Sequence, residues 1–107
     1  MIEVITTMTD NVQDILNERE KTHGSFEVHA LVTQDLKSTV QGLFDLSGPN
    51  GAPRSPWSQL SDTQRESIDM ILHKIGRIMA GNPDHKDHWD DIAGYATLIS
   101  NSLDGEQ

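Results

Sequence analysis

The stretch QRESIDMILHKIGRIMAGNPDHKDHWDDIAGYATLISNSL, residues 64–103, decides the fold. Advancing about 100° per residue places Ile68, Ile71, Leu72, Ile75, Ile78 and Met79 on one side of its first half. Glu66, Asp69, Met70, His73, Lys74 and Arg77 fall on the other. This is the pattern of an amphipathic helix. The preceding SDTQ, residues 61–64, has the form of a capping box, and Gly81 with Pro83 supplies the stop. In the second half Trp89, Ile92, Ala93, Ala96, Ile99 and Leu103 form the stripe expected to be buried. Asp87, Asp90, Asp91, Gly94 and Asn101 share the opposite side with Leu98, so that side is also expected to meet a partner. Two amphipathic helices joined by a short turn predict an antiparallel pair.

Upstream, the β-branched run Val4, Ile5, Thr6 and Thr7 suggests an extended arm over residues 1–8. Thr9 or Asp10 can cap a helix carrying Val12, Ile15, Leu16 and Arg19 at helical spacing, with Gly24 as its stop. Ser25 can cap the next segment, FEVHALVTQDLKSTVQGLFDL (residues 26–46), in which His29, Val32, Leu36, Val40, Leu43 and Phe44 follow steps of three and four. Val28, Thr33, Thr39 and Val40 lower its intrinsic propensity, so it needs tertiary packing to persist. GPNGAPRSP, residues 48–56, reads as a surface loop, with Trp57 and Leu60 closing the base of the following helix. The fold class is therefore all-α: an antiparallel bundle of about four helices within one domain, residues 9–103, with a frayed tail at 104–107.

The composition narrows the setting. Hydrophobic residues are 35% of 107 and the mean hydropathy is -0.52, a small apolar supply for one core, so completion by a homo-oligomer is expected. No apolar run reaches the length of a membrane span, and the start MIEVITTMTD lacks a basic region followed by an apolar one. A cytoplasmic protein is expected. Cysteine is absent, which excludes disulfides and thiolate metal sites. A net charge of -9 repels an extended nucleic-acid backbone, whereas a small phosphorylated ligand needs only local basic groups.

Three groups of residues can carry chemistry. Glu66 and Asp69 stand at i and i+3, a spacing at which two carboxylates can meet one cation; they can equally form a solvated face with Lys74 and Arg77 as ion-pair partners. Asp84, His85, Lys86, Asp87, His88, Trp89, Asp90 and Asp91 crowd a helix start, where the dipole favours some of the acids. Asp87 and Asp90 repeat the i, i+3 spacing and could face the first pair across an Mg²⁺ ion. His85 and His88 could bind Zn²⁺ or Ni²⁺, but their spacing matches no strong zinc motif, and hydrogen bonding or phosphate contact is the expected use. The third group surrounds Gly24: Glu18, Arg19, Glu20, Lys21, His23, Ser25, Phe26 and His29 form a corner whose free backbone N–H groups could hold an anion, or a corner in which Lys21 and His23 satisfy helix-end carbonyls.

The elements EREKTHGSF (residues 18–26), Trp57 with Leu60, and the stretch from Gln64, with DHWDDIAGYA (residues 87–96) as its most specific part, resemble a small uncharacterised domain family of tailed phages and prophages over residues 9–103. More distantly, the chain resembles the all-α MazG-like nucleotide pyrophosphohydrolases. That resemblance implies a helical oligomer in which ExxE and ExxD elements hold Mg²⁺ and a metal-activated water cleaves a nucleoside triphosphate to monophosphate and pyrophosphate. Glu66 and Asp69 match ExxD, whereas no ExxE is present: Glu18 and Glu20 are two apart and Glu27 has no acid three residues away. On this reading Glu66, Asp69 and Asp90 are catalytic, and Glu66, Asp69, Asp87 and Asp90 hold the metal. Arg19, Lys21, His23, Lys74, Arg77 and His88 bind phosphate, and Trp89 or Tyr95 stacks on a base. Two rival expectations are a non-catalytic protein that sequesters a host signalling nucleotide, and a protein-binding module presenting Leu98, Met70 and the acidic surface.

Overall fold

The computed structural model describes residues 2–104, with side chains described from residue 11. Its helices are α1 (Ile2–His23), α2 (Phe26–Gln41), α3 (Asp62–Ala80) and α4 (Lys86–Asp104), with no strand among the described residues. The all-α class and the bundle-like packing match the sequence expectation. Helix α3 is the centre, with α2 against one side and α4 against another. Both neighbours run antiparallel to it: Gln41 of α2 reaches Asp69 while Thr33 reaches Gly76, and Tyr95 of α4 meets Ser67 while Asp91 meets Lys74.

The capping box forms as read. The Gln64 backbone N–H donates to Ser61 Oγ at 3.2 Å, and the Ser61 N–H donates to Gln64 Oε1 at 2.9 Å. Two donors that a helix start would leave unpaired are thereby satisfied. At the other end of α3, glycine permits a backbone crossing. Gly24 has φ +76°, and a Cβ there would lie 1.8 Å from the Ala80 carbonyl oxygen. Only glycine fits both demands. The Asn82 N–H donates to the Thr22 carbonyl at 3.1 Å, so the α1–α2 corner is stitched to the α3–α4 turn by main chain.

Three expectations change. The extended arm over residues 1–8 is corrected, because α1 begins at Ile2; no Gly or Pro interrupts the first 23 residues, and extending a formed helix costs far less than nucleating one. The second helix stops at Gln41, five residues before Leu46. Gly42 caps it through its N–H to the Ser38 carbonyl, and Asp45 then pairs with Arg54 by two main-chain bonds of 2.9 and 2.8 Å. Third, the polar side of α3 is covered as well as the apolar one. Ser67 and Gly76 are buried, and Asp69, His73, Lys74 and Arg77 are half-buried. A helix with neighbours on two sides has to place polar groups inward. Asp104 closes α4, and residues 105–107 of the expected tail lie outside the described residues.

The chain is long, 67 × 31 × 30 Å, with a radius of gyration of 19.1 Å, against about 13 Å for a compact domain of this length. Leu72 is the one buried apolar side chain among the described residues. Among those residues no helix is long and apolar enough to cross a membrane.

Candidate functional site

All five histidines gather at one end of the layer, where α1 ends, α4 begins and α2 crosses α3. His88 is 1% exposed, and its Nε2 lies 3.2 Å from His23 Nδ1. His85 stacks edge-on against it at 4.7 Å between ring centres. On the α2–α3 side, His29 and His73 meet edge to face at 4.5 Å. The close approach at Gly76 makes room for that pair: a Cβ there would lie 2.0 Å from Thr33 Oγ1 and 3.1 Å from His29 Nδ1. Those two buried polar atoms have no hydrogen-bond partner among the described residues.

A cleft of about 310 Å³ opens in front of these rings. Leu16, Arg19 and Glu20 of α1 form one wall, His29, His73 and Arg77 of α2 and α3 form the other, and His23, Gly24 and Phe26 lie between. Neither Arg19 nor Arg77 is paired with a carboxylate among the described residues. By contrast Arg65 pairs with Asp62, Lys74 with Asp91 at 2.8 Å, and Lys86 with Asp90 at 2.6 Å. In a chain of net charge -9, the cleft lining sets the guanidinium groups of Arg19 and Arg77 against the single carboxylate of Glu20, which leaves a local excess of positive charge.

His23, His29, His73 and His88 are all held below the ordinary imidazole value. Burial, reinforced by the Arg77 cation, lowers His23 to about 4, with smaller contributions from His88, His85 and Lys74. His73 also falls to about 4, through burial first and then Arg77, His29, Lys74 and Lys37. His29 is lowered by burial and Arg77, partly offset by the Gly76 backbone. His88 is lowered by burial and His85, partly offset by the Thr22 backbone. A neutral imidazole can donate one hydrogen bond and accept another, and an arriving anion favours its protonated form.

The acidic residues do not gather. The Asp69 carboxylate turns to α2, accepting from Gln41 Nε2 at 2.6 Å with Lys37 Nζ at 3.9 Å. Glu66 is exposed beside Leu98 and Ser102 of α4. Asp87 is exposed and lies 3.7 Å from His85, and Asp90 is held by Lys86. Among the described residues no three His, Asp or Glu side chains are disposed to hold a metal ion. The donor set expected for Mg²⁺ therefore does not fit one ion within a single chain.

Of the residues expected to bind phosphate, Arg19, His23 and Arg77 share the cleft. His88 backs His23, and Lys74 is half-buried and engaged by Asp91. Lys21 is exposed and outside the cleft lining. Trp89 Nε1 donates to the Pro83 carbonyl at 2.8 Å, tying down the α3–α4 turn. The Tyr95 carbonyl accepts from Ser67 Oγ at 2.9 Å, which places this residue in the α3–α4 contact. The aromatic ring at the cleft is Phe26, 77% exposed. His73 received no ligand role from the sequence, and Phe26 entered only as a member of the corner around Gly24. Five histidines in a chain without cysteine were the available signal, but their convergence needs the α2–α3 crossing. Compared with known protein families, curated proteins and solved structures, the chain matches none.

Proposed function

We propose that the protein binds a small phosphorylated ligand, with a nucleotide as the best-fitting class, in the cleft between α1 and the α2–α3 pair, and that it holds this ligand without hydrolysing it. The observation that carries the reading is that Arg19 and Arg77, which both line the cleft, have no carboxylate partner among the described residues. Guanidinium forks match phosphate oxygens two at a time. His23, His29 and His73 add neutral donors that can gain a proton as negative charge arrives. The cleft volume lies at the lower end of the range for small-molecule sites. It accommodates the phosphates, leaving a base to stack on the exposed ring of Phe26.

Binding is favoured over Mg²⁺-dependent pyrophosphohydrolysis because Asp69, Asp87 and Asp90 each have a basic or amide neighbour and Glu66 stands apart. Calorimetric titration with ADP, ATP and deoxynucleoside monophosphates in EDTA tests the reading. Retained affinity without metal, recovery of the ligand intact, and loss of binding in Arg77→Ala are the expected results. Pyrophosphate release that requires Mg²⁺ and disappears in Asp69→Ala and Asp90→Ala would restore the hydrolase reading. Failure of every nucleotide to raise the melting temperature would leave the protein-binding module.

A further inference from the structure

His73 and Arg77 stand one turn apart on α3, and both line the cleft. Side chains at i and i+4 can reach the same group. The surroundings of His73 are mostly cationic. From α2 it faces Lys37 and His29, and from α3 Lys74 and Arg77; Arg19 and Glu20 of α1 complete the lining. The acids carried nearby are occupied: Asp69, one turn earlier, accepts from Gln41 beside Lys37, and Asp91 pairs with Lys74. Glu20 is the one carboxylate in the lining, and it is exposed. His73 itself makes no side-chain hydrogen bond or ion pair among the described residues.

We infer that a phosphate seated in the cleft is gripped by Arg77 together with His73 in its protonated form, the proton being drawn from solvent as the anion arrives. This rests on the phosphate-binding reading and adds to it the side chain that makes binding depend on pH. The charge balance calls for a further cation. Arg19 and Arg77 against Glu20 leave one positive charge in the lining, whereas a terminal phosphate carries about 1.5 to 2 negative charges at neutral pH. Of the three rings at the cleft, two are partly committed elsewhere. His29 is 6% exposed and sets its Nδ1 against Gly76 at the helix crossing, and His23 holds its Nδ1 against His88 Nε2 at 3.2 Å. His73 is half-buried with both ring nitrogens free of such ties and with Arg77 beside it. Burial and the neighbouring cations hold the empty ring at about 4. An opposite charge in contact raises such a value by about one to three pH units. Because the bound value lies above the free one, affinity rises as pH falls through the bound value and levels off above it.

Two anions test this on the full chain. Inorganic sulfate keeps its two charges throughout the range, so any proton taken up with it is the protein's own; ADP then adds the nucleotide. The imidazole C–H resonances of His73, followed by NMR, should show its midpoint moving from about 4 to above about 5.5 when either anion is bound. Sulfate affinity should rise at least about threefold between about pH 7.5 and about pH 5. His73→Gln keeps a hydrogen-bond donor that cannot take up a proton, and it should lose most of that rise. A midpoint left unmoved by both anions, or an equal rise in His73→Gln, overturns the inference. Should the variant fail to fold, the His73 resonance of the natural chain decides alone. If sulfate moves His73 and ADP does not bind, the nucleotide reading fails and the clamp stands. If ADP binds with His73 still at about 4, the clamp fails and the nucleotide reading stands.

Discussion

The two halves of α3 use charge in opposite ways. Its first half, after the Ser61 capping box, carries Asp62, Arg65, Glu66 and Asp69; Asp62 pairs with Arg65 and Asp69 accepts from Gln41 beside Lys37. Its second half carries His73 and Arg77, half-buried against α2 and the α1 corner, with no acid paired to Arg77 among the described residues. Acidic density therefore marks the half whose charges are mostly satisfied. The half with fewer charges keeps one that an outside anion can satisfy. A cluster of carboxylates is a poor pointer to a site when each has a basic or amide neighbour, because the partner already supplies what a metal would.

This contrast can be broken most severely at the corner. Gly24→Ala places a methyl on the Ala80 carbonyl in a backbone conformation that alanine resists. Denaturant unfolding should show a loss of about 3 kcal/mol or more, with nucleotide affinity falling as the two walls separate. Next is Arg77→Ala. Losing one charged hydrogen-bonding group should weaken ADP binding by about 1.5–3 kcal/mol. Because Arg77 is the second cause of the lowered values at His23 and His73, both should titrate closer to 6.5 by NMR.

The pH dependence sharpens the same comparison. His23 and His73 sit at about 4 in the folded chain against 6.5 unfolded, so their neutral burial contributes full stability above pH 6.5. That stability should drain away as pH falls from 6.5 towards 4, because the unfolded chain takes up the protons first. The melting temperature should drop over this window, and His73→Gln should flatten the fall. Smallest of all, Glu66→Ala and Asp90→Ala on the acidic surface should shift unfolding by no more than about 0.5 kcal/mol and leave ADP binding unchanged.

Much of the fold was legible residue by residue. Ser61 and Gln64 announce the start of α3, Gly24 and Gly81 announce stops, and the spacing of Ile68, Ile71, Leu72 and Ile75 identifies the helix itself. The site was legible only in part. Arg19, His23 and Arg77 were named as ligand-binding and share the cleft; His29 was read both into an apolar stripe and into the corner around Gly24, and His73 on an outer face. Their meeting depends on Thr33 and Gly76 permitting a close helix crossing, which no single-helix projection contains.

By itself, the sequence determined that about four helices form, where α2 and α3 begin and where α1 and α3 stop, because caps, glycine stops and apolar spacing act within a few residues of one another. Tertiary structure decided which polar side chains are spent on neighbours and which are left without a partner among the described residues. Asp69 meets Gln41 only after α2 is laid against α3, and Arg77 has no carboxylate partner among the described residues. Hydrogen bonding and desolvation depend on what stands across the gap, and that is a property of the packed helices rather than of any one of them.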